Sequence, residues 1–294
     1  MFAKNPNTMT YRTNIKYIDP MVDYGFKRIF KESGKKNLII RPLNAIFNLE
    51  IVDINISESE QLGLTEQERK ATYDMHCTTK DGSHFIIEVQ LARKDFFMER
   101  AIFYSSRTVS LQAERGDRDF KLHPVFFLGF LNFDIRHLDP KMADPGKFIH
   151  KFSLREEETH EQMSLALRFA FLEVARFDKR KEECLSFEDR FLFIMKNMST
   201  FAEEPELWDD PYFNDLMEEA EFANMSFEEQ EKYIASMKQK WDYQNTLAYA
   251  RKEGREEGKT QQAKETARRM LAKQYPLEAI VEISGLSEEQ VRAL

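Results

Sequence analysis

The hydrophobic positions of the N-terminal part change their period from helical to alternating. After Asp19-Pro20, apolar residues recur at spacings of three and four, which predicts a helix that Gly34 can end. A second short helix is predicted from Leu38 to Phe47, entered through the Arg41-Pro42 step. Residues 51–58 then alternate between apolar and polar side chains, as a half-buried strand does.

Two strand-like runs follow, at residues 70–79 and 83–91, and Lys80-Asp81-Gly82 between them predicts a hairpin loop. A long helix is predicted over 94–115, and the almost wholly apolar run 122–133 predicts a buried central strand. This order of helix, strand, hairpin, helix and strand predicts an α/β core.

Beyond Asp134 the pattern becomes mainly helical and acidic. The periodic segments predict a strand over 147–155, helices over 160–177, 186–198, 212–223 and 227–240, a charged helical run over 245–273, and a helix–glycine–helix hairpin over 277–294. We therefore expect four regions: a flexible segment over 1–18, the α/β core over 19–155, an acidic helical region over 156–250, and a charged helix with a C-terminal helical hairpin over 251–294.

The net charge of −8 is unevenly distributed along the 294 residues. Residues 1–134 carry 19 basic and 18 acidic side chains, a net of +1, whereas residues 135–250 carry 15 and 25, a net of −10. Residues 251–294 carry 9 and 8, again a net of +1. A protein that binds nucleic acid over its whole surface is excluded, and any contact with a polyanion is expected in the first 134 residues.

Composition also narrows the class of protein. No run of 18 apolar residues predicts a membrane span, and the first twenty residues lack the apolar stretch of a secretory signal. Two cysteines, Cys77 and Cys184, are too few for a disulfide framework or a structural zinc site, so a cytoplasmic location is expected. No P-loop, dinucleotide fingerprint or Ser-His-Asp arrangement is recognisable.

The candidate metal-binding residues lie in the hairpin predicted over 70–91. A three-residue loop with Gly82 in the left-handed region pairs Thr79 with Ser83, and this register places Asp74 opposite Glu88. Since strand side chains alternate, Gln90 lies on the same face as Glu88. Facing carboxylates repel each other, which predicts a hard divalent cation such as Mg²⁺ between them, with Gln90 orienting its water.

An alternative remains open for this face of the hairpin. The two carboxylates could simply be solvated, and a two-residue Asp-Gly loop would shift the register by one position. His76 and His84 lie near the acids, but Mg²⁺ prefers oxygen ligands, so we expect both at the polar surface. The opposite face is apolar and is predicted to join the core; it carries Tyr73, Met75, Cys77, Phe85, Ile87, Val89 and Leu91.

Four stretches resemble PD-(D/E)XK nucleases, and most of all the recombination-promoting nuclease / putative transposase family of that superfamily. They are DYGFKRIF at 23–30, YDMHCTTKDGSHFIIEVQ at 73–90, ERAIFYSSR at 99–107 and RKEGREEG at 251–258. The resemblance implies an α/β fold with a restriction-endonuclease-like αβββαβ core in residues 19–155 and a mainly α-helical C-terminal half. It also implies Mg²⁺- or Mn²⁺-dependent cleavage of DNA phosphodiesters, linked to DNA recombination or mobile elements.

The resemblance assigns roles to individual residues. Asp74 and Glu88 match the two metal-binding acids, and Asp23 matches the acid of the first helix. Gln90 stands in the lysine position, a common variant in this family that cannot supply lysine's positive charge. Tyr73 stands where proline is usual before the first acid.

Basic residues near these acids are candidates for DNA contact. Arg100 and Arg107 share a helix face with Tyr104 and are expected to contact phosphates, although pairing with Asp95, Glu99 or Asp74 is the alternative. Lys27 on the first helix could extend a basic rim.

The C-terminal hairpin has good helix signals, with Gly285 as a stop and Ser287 and Gln290 as a capping box. Its second helix has a single basic residue, Arg292, so we favour packing or homo-oligomer formation over a DNA-reading helix-turn-helix. Two alternatives to a DNA endonuclease remain open. One is a non-catalytic DNA-binding or assembly protein on the same scaffold, and the other is an RNA nuclease.

Overall fold

A computed structural model describes residues 15–57, 60–61, 71–93, 96–112, 121–135 and 144–294. Within these ranges the chain divides into two compact units, one ending at Ser236 and the other beginning at Met237. Residues 1–14 of the predicted flexible segment, and residues 94–95 and 113–115 of the predicted helix 94–115, lie outside the described residues. Over the described ranges, every helix is too short or too polar to traverse a bilayer.

The described residues form eight strands and eight α-helices. The strands are β1 (Asn55–Ser57), β2 (Glu60–Gln61), β3 (Ala71–Thr72), β4 (Met75–Thr78), β5 (His84–Gln90), β6 (Val125–Leu131), β7 (Ile149–Arg155) and β8 (Gln162–Glu173). The helices are α1 (Asp23–Lys27, continued by a π-helical turn over Arg28–Glu32), α2 (Asn37–Phe47), α3 (Phe97–Ser110), α4 (Phe187–Asn197), α5 (Pro211–Ala220), α6 (Phe227–Ala272), α7 (Leu277–Ser284) and α8 (Glu288–Arg292).

Six of the strands form one mixed sheet, in the order β1-β4-β5-β6-β8-β7. The three strands β5, β6 and β8 run parallel to one another, and β1, β4 and β7 pair antiparallel to their neighbours. The short β2 and β3 pair separately. Parallel strands in the middle need cover on both faces, and the α/β class expected from the sequence is confirmed.

Helices cover both faces of the sheet with aromatic side chains. On one face, α3 packs Phe97 and Ala101 against Phe127 and Phe171. On the other face, the rings of Phe26 in α1 and Phe191 in α4 lie 5.6 and 6.0 Å from that of Phe130. The same face receives Phe47 of α2, which lies 5.0 Å from Phe126. Many of the 25 phenylalanines therefore belong to a three-layer core.

The predicted central strand is confirmed, since all seven residues of β6 are buried. The predicted strand over 147–155 is also confirmed, as β7. The predicted strand over 51–58 is shorter than expected and covers only β1.

The helix predicted over 160–177 is wrong, because this segment is the strand β8. Apolar side chains occur there at every second position, which is the period of a strand; they are Met163, Leu165, Leu167, Phe169 and Phe171. The helix prediction assigned a helical period to this stretch, whose leucine, alanine and methionine residues also have a high intrinsic helix propensity. Pairing with β6 on one side and β7 on the other outweighs that propensity.

The helix predicted from Leu38 to Phe47 is confirmed as α2, which starts at Asn37. The Arg41-Pro42 step was wrongly predicted to be its entrance, because Pro42 lies inside the helix. Proline has no N–H, so the carbonyl of Leu38, four residues earlier, lacks its helical donor. The hydroxyl of Tyr212 in α5 donates to this carbonyl at 2.8 Å and replaces the missing bond. Burial raises the pKa of Tyr212 well above its usual value, so the hydroxyl keeps its proton.

Tyr212→Phe is therefore expected to lower the free energy of unfolding by about 1–3 kcal/mol, the cost of a buried acceptor left unsatisfied. Pro42→Ala in the same chain should recover part of this loss, because alanine returns the N–H that Leu38 lacks. Urea denaturation of the wild type, both single variants and the double variant measures the coupling. Additive effects of the two substitutions would contradict this account.

The second unit contains the end of α6 together with α7 and α8. The segments predicted over 227–240 and 245–273 belong to one continuous helix, α6. Ala267, Ile280, Leu286 and Val291 form a small buried cluster. The predicted capping box is confirmed, with the Ser287 N–H donating to Gln290 at 2.9 Å and the Gln290 N–H to Ser287 at 3.2 Å.

Candidate active site

The predicted register of the hairpin is confirmed, from Met75 opposite Ile87 to Thr78 opposite His84. Gly82 has a φ of 86°, as the three-residue loop requires. However, the predicted strand 70–79 is interrupted, and pairing with β4 stops at Met75. The last three residues of β5, which include Glu88 and Gln90, therefore extend beyond their neighbour β4.

Asp74 occupies the place where β4 would have continued. Its Oδ2 accepts a hydrogen bond from the backbone N–H of Val89 at 2.6 Å, so a carboxylate replaces a bond of the strand ladder. On the adjacent position of β5, Glu88 is only 4% exposed, and its Oε2 accepts from Gln90 Nε2 at 2.8 Å. Gln90 itself is 8% exposed. The hairpin thus brings all three predicted residues together.

The first helix supplies a further carboxylate. Asp23 begins α1, pairs with Lys27 one turn later at 2.7 Å, and forms a hydrogen bond with Asp74. Burial raises the pKa of Asp74 to about 6, and the charge of Asp23 and the hydrogen bond to it act in the same direction. The N–H of Val89 and the charge of Lys27 act in the opposite direction. Two acids 51 positions apart in the sequence thus share one polar cluster.

The raised pKa of Asp74 predicts a pH-dependent cost in stability. The pKa of Asp74 is higher in the folded than in the unfolded protein. Its protonated carboxyl therefore stabilises the fold below pH 4, and this stabilisation is lost as pH rises through about 6. In EDTA at pH 8, Asp74→Asn should raise the free energy of unfolding by roughly 1–3 kcal/mol, and at pH 4 by almost nothing. Asparagine retains the acceptor for the Val89 N–H.

A matched control lies in the same hairpin. Hydrogen bonds from Thr79 and Ser83 lower the pKa of Asp81, so Asp81→Asn should destabilise the protein at pH 8. Denaturant titration of both variants at the two pH values measures this contrast. If both substitutions changed the free energy of unfolding in the same direction at pH 8, the electrostatic explanation would be refuted.

Helix α3 carries Arg100, Tyr104 and Arg107, and Tyr104 packs against Tyr73, the residue before Asp74. The Arg100 guanidinium donates to the hydroxyl of Tyr104 at 3.3 Å, and the rings of Tyr104 and Tyr73 are 5.3 Å apart. Burial raises the pKa of Tyr73, the nearby charge of Glu88 adds to this, and Arg107 opposes it. Arg100 is thus linked to Tyr73 through Tyr104, and Arg107 lies close enough to Tyr73 for its charge to lower the pKa of that tyrosine.

Tyr73 lies on a different face of the hairpin from the one that the sequence predicted. Strict alternation assigned it to the face opposite Glu88, but it lies in one buried cluster under α3 with Ile86, which shares the face of Glu88 on β5. The break between β3 and β4 resets the alternation at residues 73–74. Its position directly before Asp74 was the available signal.

The expected surface position of the histidines is wrong for His76, which is 6% exposed. Its Nδ1 lies 2.6 Å from Ser57 Oγ and its Nε2 lies 3.3 Å from His84 Nδ1. Burial lowers the pKa of His76 to about 4, and the adjacent His84 adds to the effect. Because α3 covers this face of the hairpin, neutral imidazoles occupy it. Cys77 is buried on the other face, as predicted.

The donor set suits a hard cation. Asp74 and Glu88 offer only oxygen atoms, and the pKa of Asp74 is raised by burial first and by the charge of Asp23 second. In the part of the chain that the structure describes, no group of three or more His, Cys, Asp or Glu side chains is arranged to hold a metal ion. A cation here would take two carboxylates from this chain and complete its shell with water, as Mg²⁺ commonly does.

Comparison with known proteins gives one match. The family model described as PD-(D/E)XK nuclease family transposase matches residues 20–250, which include every residue of this candidate site. Neither the curated proteins nor the solved structures gave a significant match. PD-(D/E)XK nucleases generally use divalent metals. The family match covers most of the chain, and the protein therefore belongs to the PD-(D/E)XK nuclease family transposases.

Proposed function

We propose that this protein is a Mg²⁺- or Mn²⁺-dependent DNA endonuclease that hydrolyses phosphodiester bonds, with a role in DNA recombination or mobile elements. The observation that carries the proposal is the position of Asp74, which contacts Asp23 of α1 and accepts from the N–H of Val89, the residue after Glu88 on β5. The order of α1, β1, β4, β5, α3 and β6 supports a restriction-endonuclease-like αβββαβ core.

Each side chain has a proposed task. Asp74 and Glu88 would hold the cation, which when bound lowers the pKa of water and neutralises charge on a phosphate. The Val89 N–H fixes Asp74, and the Gln90 amide fixes Glu88, so both acids are preorganised. Gln90 keeps its carbonyl oxygen as an acceptor for the attacking water. The exposed part of Asp23 adds a carboxylate beside Asp74.

Positive side chains would orient the nucleic acid. Arg100 and Arg107 on α3 are proposed to contact phosphates, and Tyr104, which packs against Tyr73, accepts from Arg100 and holds it in place. Lys27 pairs with Asp23, so its proposed task is to balance the acids as well as to meet the substrate. Nucleic-acid binding of this kind weakens with salt.

A plasmid-nicking assay tests the proposal. Purified full-length protein is incubated with supercoiled plasmid in Mg²⁺, in Mn²⁺ and in EDTA, and open-circular product is quantified over time. We expect nicking with either metal and none in EDTA. Folded protein that binds the plasmid without nicking it would favour the non-catalytic alternative. Cleavage of single-stranded RNA but not of plasmid would favour the RNA nuclease.

A further inference from the structure

The second unit carries a strongly polarised helix surface. Residues 251–273 contain eight basic and four acidic side chains, a net of +4, within a region of 251–294 whose overall net charge is only +1. At about 100° per residue, five of the basic side chains fall within an arc of about 100° on α6. This basic face consists of Arg251, Lys252, Arg255, Lys259 and Arg269.

The arc contains no acid. Glu253, Glu256, Glu257 and Glu265 all lie outside it, and the polar side chains that share it are Gln262 and Thr266. All five basic side chains are exposed. At 1.5 Å per residue, the basic face extends for about 27 Å along the helix.

Helix stability does not explain this arrangement. Exposed helices gain from opposite charges four residues apart, whereas Arg251, Arg255 and Lys259 follow one another at that spacing and repel. Among the described residues, Arg251 and Arg255 make no ion pair. Lys259 and Arg269 pair with Glu256 and Glu265, but all four side chains are highly exposed, so these pairs are weak and exchangeable.

We propose that the basic face binds the phosphate backbone of duplex DNA, as a second contact surface separate from the arginines of α3. Regularly spaced arginine and lysine side chains, with glutamine and threonine between them, are the donors that meet phosphates in proteins. The surface carries no element that reads base sequence, so it adds affinity and not specificity. The contact does not depend on cleavage.

A lipid surface is a poorer occupant for the same charges. Helices that lie on membranes bury apolar side chains beside their basic ones. Residues 251–262 contain no apolar side chain, because their only non-polar residues are two glycines. This half of the basic face therefore has no side chain that could insert into a membrane.

The test is the salt dependence of DNA binding by the full-length protein. Anisotropy of a labelled 30-base-pair duplex is measured in EDTA over a series of salt concentrations for the wild type and R251Q/R255Q. Each lost phosphate contact lowers the slope of log K against log salt by about 0.9, so we expect a slope smaller by about 1.8. At 0.1 M salt, the affinity should fall on the order of 10-fold or more.

The matched control is K264Q/R268Q, which removes the same charge from the other side of α6. Glutamine is a good helix former, so circular dichroism should show unchanged helix content in both double variants. We expect the control to retain the wild-type slope. Equal slopes in all three proteins, or equal losses in both variants, would overturn the proposal.

Two further measurements distinguish DNA from a lipid surface as the ligand of the basic face, and DNA binding by this face from plasmid cleavage. Loss of binding to phosphatidylserine vesicles without loss of DNA binding in R251Q/R255Q would also overturn the proposal. Plasmid nicking is scored independently. If the wild type nicks plasmid but R251Q/R255Q has the wild-type salt slope, only the proposal for the basic face is refuted. If the slope differs but the wild type does not nick, only the proposed endonuclease activity is refuted.

Discussion

Glu88→Gln should lower metal-dependent plasmid nicking by about 10³-fold, because glutamine keeps the shape of the side chain but cannot offer a carboxylate to a divalent cation. The substitution retains an acceptor for the Gln90 amide, which donates to Glu88 at 2.8 Å. Circular dichroism and thermal unfolding should therefore match the wild type. The rate of conversion of supercoiled to open-circular plasmid at saturating Mg²⁺ gives the effect.

The control for this experiment is Glu161→Gln, which removes the same charge from an exposed position before β8. We expect the control to nick at the wild-type rate. If Glu88→Gln retained more than half of the wild-type rate in Mg²⁺ and in Mn²⁺, the hairpin would not be the metal site.

Glu173→Ala should be the most destabilising single substitution considered for this protein. The side chain of Glu173 is 0% exposed, and its Oε2 accepts from Arg176 Nε at 2.7 Å and lies 3.1 Å from His150 Nε2. Its Oε1 accepts from the Ile135 N–H at 2.7 Å. Removing one member of a buried charged network leaves the others uncompensated, so we expect a loss of about 3–5 kcal/mol in urea denaturation.

Two variants show whether the network causes this loss. Glu173→Gln keeps an acceptor for the Ile135 N–H and should lose less than the alanine variant. Glu157→Ala, at an exposed position, should change the free energy of unfolding by about 0.5 kcal/mol or less. A loss at Glu173 as small as that at Glu157 would contradict the assigned role.

The hairpin could be predicted from the sequence because its determinants are local. Gly82 fixes the loop, the loop fixes the register, and the register places Glu88 and Gln90 on one face. The break at Asp74 could not be predicted, since a carboxylate that accepts from the Val89 N–H leaves no mark on the alternation of the strand.

The remaining features depend on distant partners. The contact of Asp23 with Asp74 joins a helix to a hairpin, and the resemblance to known nucleases suggested it where periodicity did not. The strand β8 has good helix formers, and only its pairing with β6 and β7 makes it a strand. Regional net charge concealed the basic face on α6, because charges on opposite sides of a helix cancel in a sum.

The bond from Tyr212 to Leu38 also orders events during synthesis. Helix α2 leaves the ribosome before the donor that completes it, which is translated 174 residues later. The sheet likewise cannot be completed before β8 is translated, because β8 lies between β6 and β7. A nascent chain therefore exposes the apolar faces of its hairpin and of α1 and α2 until β8 and α5 have been made, which makes the unfinished protein a candidate client for chaperones.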